Sequence, residues 1–317
     1  MEKKVLTGMS FLISLLLVVV AALVPSISSA SYQVQAEAPS SVIHDGTNVW
    51  VASAGNDVVL KLSVSTGSLV GAYAVGKTPR ALVSDGANIW VANQNSNTVT
   101  KLLARSGATL GTYGVGRAPI GLAFDGTNIW VANYGSNTVT KLLASSGATL
   151  GTYSVGDGPG ALVFDGTNVW VSNQNSNTVT KLLASSGANL GTYAVGKVPQ
   201  GMAYDGANIW VANSQSDTVT KLLASSGMTL GTYKVGDNPV AVVAGDGAIW
   251  VVNQFGHSVT KLQGSTGATV GTYGVGDAPT NAILEGGNLW VANFGSRSVT
   301  KLRTSDGTKL GSFGTSP

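Results

Sequence analysis

Residues 117–156 read RAPIGLAFDGTNIWVANYGSNTVTKLLASSGATLGTYSVG. Ile120–Phe124 is a short apolar run behind a proline, which suits the start of a strand. Asp125-Gly126 is a hairpin turn signal, and Asn128–Asn133 is β-rich around Trp130. Thr138–Leu143 opens on alternating Thr and Val, Ser145-Ser146-Gly147 turns the chain, and Leu150–Val155 supplies a fourth strand. Helix is excluded because β-branched residues and glycines interrupt every window of helical length. The stretch predicts four short antiparallel strands.

The same stretch recurs along the whole chain. Trp50, Trp90, Trp130, Trp170, Trp210, Trp250 and Trp290 are all the tryptophans present, spaced by 40 residues. Pro39, Pro79, Pro119, Pro159, Pro199, Pro239 and Pro279 keep that step, and so do Lys61, Lys101, Lys141, Lys181, Lys221, Lys261 and Lys301. The repeats are 37–76, 77–116, 117–156, 157–196, 197–236, 237–276 and 277–316. A length of 317 residues would suggest two domains at about 150 residues each, but the repeats leave no room for a second one. Four strands per 40 residues, seven times over, is the arithmetic of an all-β, seven-bladed β-propeller with four antiparallel strands per blade. One such sheet buries little alone, whereas stacked sheets cover both faces of each other. That explains strands that are nearly continuously apolar. A β-solenoid, the competing architecture, uses far fewer residues per coil. Residues 31–317 are therefore expected to form one domain. Tyr32-Gln33-Val34, similar to the Tyr-x-Val of the fourth strands, is a candidate extra outer strand for the seventh blade.

The pattern WVAN..SNTVTKL....G..LGTY.VG..P resembles the YVTN-type family of 40-residue β-propeller repeats, related to NHL and streptogramin-lyase-like propellers. The resemblance runs from about residue 37 to the end of the chain. It implies the fold and leaves the function open, since that group includes surface-exposed, export-associated and uncharacterised proteins.

Composition narrows the function classes. Charged residues make up 10% of the chain and hydrophobic residues 44%, which argues for a packed core over a disordered chain. The net charge is only +3, and no Lys/Arg cluster of the kind that neutralises phosphates is present, so nucleic acid is not an expected partner. The absence of cysteine excludes disulfides, a thiolate nucleophile, a lipobox-type anchor and cysteine metal sites. Lys3 and Lys4 precede an apolar run from Phe11 to Val24, Pro25 ends it, and Ser28-Ser29-Ala30 offers small residues to a signal peptidase. Residues 1–30 read as a signal peptide, because that run is short of the roughly 20 residues a membrane span needs. An uncleaved anchor beginning near Val5 is the alternative, and Ala36 is a second cleavage point. Cleavage at Ala30 leaves 16 basic and 14 acidic residues. The expected product is secreted or held in the cell envelope, touches membrane only through an uncleaved signal segment, and is a monomer without a cofactor or metal.

Most in-phase residues read as structural. One Trp at the same place in every repeat is a packing wedge between blades rather than a sugar platform. Each lysine is expected to lay its stem along apolar surface with its ammonium near the first-turn carboxylate. Asp45, Asp85, Asp125, Asp165 and Asp205 supply that carboxylate, with Asp246 and Glu285 near the same point in the last two repeats. These Asp-Gly turns lack the dense carboxylate spacing of a calcium loop, so a turn-stabilising role is favoured.

The repeats differ from one another in two stretches. The residue after each proline is Ser40, Arg80, Ile120, Gly160, Gln200, Val240 and Thr280 in turn. Two residues before it stand Glu37, Lys77, Arg117, Asp157, Lys197, Asp237 and Asp277. The loop after the second strand carries Gln94, Tyr134, Gln174, Ser214, Gln254 and Phe294, with Phe255, His257 and Arg297 beside them. Alternate strands run in opposite directions, so both stretches are expected on one face of a propeller. The Asp-Gly and Ser-x-Gly turns would lie on the other, nearly uniform, face. A varied face on a rigid scaffold suits one asymmetric partner. Glu37, Asp237 and Asp277 would form an acidic arc and Lys77, Arg80 and Arg117 a basic one, with Tyr134, Phe255 and Phe294 as aromatic anchors.

No catalytic constellation is readable. His44 and His257 fall at opposite ends of their blades, which argues against a histidine metal cluster or acid–base pair. Streptogramin-lyase-like propellers use a His/Glu constellation with a metal, and the sole glutamates after the signal segment are Glu37 and Glu285. No catalytic residue is carried over. The expectation is a non-catalytic exported binding scaffold acting on an unidentified protein or envelope ligand through its varied face. A divergent lyase-like enzyme acting at the channel mouth is the alternative, with Asp157, Asp237 and Asp277 able to converge there.

Overall fold

The computed structural model describes residues 39–64 and 68–314. Its elements are 28 strands in seven four-stranded antiparallel sheets, each sheet keeping its strands in chain order: a seven-bladed β-propeller. The blades span residues 39–74, 79–114, 119–154, 159–194, 199–234, 239–274 and 279–314. In blade 3 the strands are Pro119–Phe124, Asn128–Asn133, Thr138–Leu143 and Thr149–Ser154, so the last begins and ends one residue before its expected place. Residues 1–38, with both cleavage points, Tyr32-Gln33-Val34 and Glu37, lie outside the described residues.

By internal contacts the chain falls into two compact units. One holds blades 1–3 and residues 158–160, the other most of blades 4–7. Each unit repeats one packing rule. In the first, Trp50 is fully buried against Ile89, Val91 and Leu102 of blade 2, and Trp90 against Ile129, Val131 and Leu142 of blade 3. In the second, Trp170 packs on Ile209 and Val211, Trp210 on Ile249 and Val251, and Trp250 on Leu289 and Val291. The tryptophan is thus the wedge between neighbouring blades. Within each unit, second and third strands are buried almost throughout where neighbouring blades cover them.

The polar edges of the first five wedges are satisfied in a way the sequence reading placed wrongly. Trp130 Nε1 donates to Asp125 Oδ2 at 2.7 Å, and the same bond joins Trp50 to Asp45, Trp90 to Asp85, Trp170 to Asp165 and Trp210 to Asp205. The lysine ammonium does not seek that carboxylate. Lys101 Nζ sits 5.0 Å above the Trp90 ring and donates to the carbonyls of Ala144 (2.7 Å) and Ser145 (3.1 Å) in the next blade. Its side chain is buried, and two carbonyls plus a ring face solvate the cation where water is excluded. Lys61, Lys181, Lys221 and Lys261 do the same to their neighbouring blades.

The turn ends of the blades are less uniform than expected. In blade 3 the Asp125 side chain accepts the amides of Thr127 and Asn128 and closes an Asx-type turn. Blades 6 and 7 replace this with two-residue hairpins at Asp246-Gly247 and Gly286-Gly287, whose four φ angles are all positive, between +52° and +72°. Gly245 therefore occupies the place of the tryptophan-binding aspartate in blade 6, and Asp246 sits within the turn. The Asp-Gly pair of blade 6 lies one residue beyond the phase of the other repeats.

Candidate binding face

At the other end of blades 2–7 the two varied stretches do meet. The amides of Gln94 and Asn95 donate to the carbonyls of Thr78 and Lys77 at 2.9 and 3.1 Å. Tyr134 and Gly135 reach Ala118 and Arg117 (3.0 and 2.9 Å), Gln254 and Gly256 reach Asn238 and Asp237 (2.9 and 3.1 Å), and Phe294 and Gly295 reach Ala278 and Asp277 (3.0 and 2.8 Å). Asn175 bonds Asp157, and Gln215 bonds Lys197, in the same manner. Beneath the hairpins of blades 2–7 a buried asparagine pins the loop. Asn133 Nδ2 donates to Thr138 Oγ1 at 3.1 Å and Thr140 Oγ1 at 2.9 Å, and Asn93, Asn173 and Asn213 repeat this.

Three backbone irregularities shape these loop ends. The residue after the proline is a β-bulge: Pro79 pairs Asn93 and Ala81 pairs Ala92, so Arg80 has no partner across the sheet. Ser40, Ile120, Val240 and Thr280 are bulged in the same way, and Gln200 together with Gly201 in blade 5. A bulge frees its residue from the inward–outward alternation and re-aims the side chain. The most varied position of the repeat is thus the one least bound by strand pairing. Second, the residue before the proline is left-handed, with φ +56° at Thr78, +50° at Ala118, +51° at Val198, +53° at Asn238 and +46° at Ala278. Third, the last hairpin residue is left-handed too, including Asp57, Asn97, Asn177, Asp217 and His257. L-residues other than Asn and Asp visit this region rarely, and Val198 is β-branched.

The two left-handed residues hold each other across the blade junction. Asp57 Oδ1 accepts the Thr78 amide (2.7 Å), Asn97 Oδ1 the Ala118 amide (2.8 Å), Asn177 Oδ1 the Val198 amide (2.8 Å) and Asp217 Oδ1 the Asn238 amide (2.9 Å). At the junction of blades 6 and 7 the acceptor is His257 Nδ1, 2.9 Å from the Ala278 amide. The sequence reading missed this clasp. Its trace was the in-phase Asn/Asp at the end of the first five hairpins, residue types that tolerate a positive φ.

The named candidates divide as follows. Lys77, Arg117, Asp157, Lys197, Asp237 and Asp277 are exposed, while Arg80 and Gln200 are half-buried on their first strands. Gln200 Nε2 donates to Ser214 Oγ at 3.2 Å, and Gln254 Oε1 accepts Asn238 Nδ2 at 3.2 Å, so both are tied to their own loops. Gln94 and Gln174 are half-buried. The three aromatics are not equivalent: Phe255 is 62% exposed, whereas Tyr134 and Phe294 are half-buried. His257 and Arg297 are exposed. In the first unit Lys77, Arg80 and Arg117 make no ion pair among the described residues, and in the second Asp277 lies 3.9 Å from His257.

Clefts large enough for small molecules occur at the turn ends. About 480 Å³ lies between blades 5 and 6, lined by Asp205, Asn208, Asp246 and Gln263. Smaller ones lie between blades 2 and 3 (370 Å³) and blades 6 and 7 (310 Å³). Asp85, Asp125, Asp165 and Asp205 border this end. Burial raises their carboxyl pKa, but hydrogen bonds from the Trp indole, the Asn side chain and two backbone amides outweigh it and hold each below the usual value. They are anchored anions rather than proton carriers.

No known family model matches the chain, and no curated protein matches it. Solved structures do. The computationally designed Ika8 protein aligns with a TM-score of 0.80 at 15% identity, over 90% of this chain and 89% of its own. Hydrazine synthase of Kuenenia stuttgartiensis aligns at 0.70 and 19% identity, over 88% of this chain and 98% of its own. Dihydro-heme d1 dehydrogenase NirN aligns at 0.72 and 12% identity, over 86% of this chain and 65% of its own. At these identities the likeness is one of fold. It corrects the expectation of a non-catalytic protein: the same fold serves a synthase and a dehydrogenase, so a propeller architecture without a legible catalytic motif gives no ground for excluding catalysis.

Proposed function

We propose that this chain is an exported propeller of the YVTN-repeat type that binds a partner through the loop ends of its blades. Residues 1–30 serve as the signal peptide, and residues 31–317 act as one monomeric binding domain in the envelope or the extracellular medium. One observation carries the reading. The position occupied by a different residue in every repeat is a β-bulge in the six blades named above, set in a scaffold whose wedge, clasp and lysine contacts barely change. Selection for packing alone leaves no reason to diversify that one position while the buried framework stays the same.

The partner is to be captured with the purified mature protein from the native envelope or culture medium. Lys77, Arg80 and Arg117 in the first unit, and Asp237 and Asp277 in the second, give the loop ends charge of both signs. Such charge orients an encounter and accelerates it more than it tightens the complex. The double variant Arg80→Glu/Arg117→Glu is expected to slow association and to weaken its salt dependence. Asp125→Lys at the turn end is expected to leave association unchanged if the protein stays folded. Loss of binding in the turn-end variant alone would overturn the proposal.

A further inference from the structure

We propose that the junction of blades 6 and 7 is a pH-sensitive clasp, with His257 as its switch. The clasp bond is the same at every junction described above, but its acceptor is not. At Asp57, Asn97, Asn177 and Asp217 a carboxylate or carboxamide oxygen receives the amide of the next blade. Such oxygens keep their lone pairs as pH moves between 8 and 5. At His257 the acceptor is Nδ1 of a neutral imidazole, and a protonated imidazole has donors at both nitrogens and no acceptor. Protonation therefore sets an N–H against the Ala278 N–H and breaks the bond.

The surroundings give the released ring somewhere to go. His257 is 53% exposed, so its proton comes directly from solvent. Asp277 Oδ1 lies 3.9 Å from Nδ1 and is the nearest anion, on the very segment the clasp holds. Two other charged residues belong to the packed loops. Asp237 receives the Gly256 amide on its carbonyl, and Arg297 follows the loop whose Gly295 bonds the Asp277 carbonyl. The imidazolium is expected to turn from the amide towards the Asp277 carboxylate. The His257 backbone stays in place through its carbonyl, which accepts the Val275 amide at 3.0 Å. What loosens is the connection through Ala278, whose φ of +46° is an unfavourable conformation for alanine. Phe294 moves with it, because its amide is bonded to the Ala278 carbonyl.

The test is amide hydrogen exchange on the intact protein, followed by NMR and corrected for intrinsic rates. Between pH 8 and pH 5 the protection of Ala278 should fall about tenfold or more, while that of Ala118, held by Asn97, stays constant. His257→Asn installs the acceptor used at positions 97 and 177, so it should fold and keep Ala278 protected at both pH values. Equal protection of Ala278 at pH 8 and pH 5 in the unmodified protein would overturn the proposal. So would an undiminished pH response in His257→Asn. Neither result depends on a binding partner, so failure here leaves the partner proposal standing, and the reverse.

Discussion

A single carboxylate oxygen seats the tryptophan of each of the first five blades, and two predictions follow from it at the scale of the residue. Trp170 is fully buried, and its indole N–H is held by Asp165. Trp170→Ala should therefore cost about 3–5 kcal/mol, whereas Tyr134→Ala on a half-buried loop should cost about 1 kcal/mol or less. Denaturant midpoints of the two variants separate these outcomes, and equal losses would contradict the wedge. The second prediction concerns acid. Asp45, Asp85, Asp125, Asp165 and Asp205 are held below the ordinary carboxyl value of 3.8, which means that folding stabilises the ionised form. That contribution is complete above the unfolded pKa and disappears as pH falls through the folded one. Stability should drop as pH is lowered below about 4. Asp125→Asn should be less stable at neutral pH and lose less on acidification. An acid response identical to that of the unmodified protein would remove Asp125 from the account. The tryptophan wedge was legible because an identical bulky residue at a fixed spacing has few other uses. The lysine was misplaced because charge pairing was assumed where two carbonyls and a ring face do the solvating.

Among elements, the Ser-x-Gly turn between the third and fourth strands carries the sharpest constraint. Gly147 has φ +78°, and a Cβ there would run into the Tyr113 ring of the preceding blade. Gly126, in the turn before the second strand, has φ +93° with open space around its missing Cβ. The two positions separate backbone strain from steric conflict. Gly126→Ala should cost about 1–2 kcal/mol, the penalty of a left-handed L-residue. Gly147→Ala adds displacement of a half-buried tyrosine and should cost clearly more. Melting temperatures of the pair check this, and a smaller loss at Gly147 would mean that Tyr113 moves freely. Strand positions were readable to within a residue because β-branched runs and Gly turns alternate without ambiguity. The bulges and left-handed pairs at the loop ends were not readable, since they arise from how the strands are paired. The hairpins at Asp246-Gly247 and Gly286-Gly287 escaped notice because Asp246 and Glu285 were taken as near substitutes for the turn aspartate, and only the strand pairing shows the shorter turn.

For the whole molecule, repetition decides what can vary. Seven copies of one framework leave each blade's loop end free to differ, and the candidate face was legible as a comparison of the chain with itself. Its true anchor points were not. Of the three aromatics only Phe255 stands well out in solvent, a matter of local burial that spacing does not encode. Repetition also multiplies a hazard. Among the described residues the fourth strand of each blade has one unpaired side, and sequences such as TLGTYG carry no charge to repel another strand. Here the irregular register between the third and fourth strands acquires its meaning. Lys101 pairs Gly111 and Leu102 pairs Thr109, so Leu110 is extruded from the ladder, as are Val70, Leu150, Leu190, Leu230, Val270 and Leu310. These side chains are 41–55% exposed, an apolar display that looks like a liability. The extruded residue spoils the hydrogen-bond spacing that an incoming chain would need to extend the sheet. Deleting Leu150 would restore that spacing in blade 3, and light scattering of the variant should rise with concentration while that of the parent stays flat. If it does, outer strands that mostly carry no charge escape fibril growth through one surplus residue per repeat.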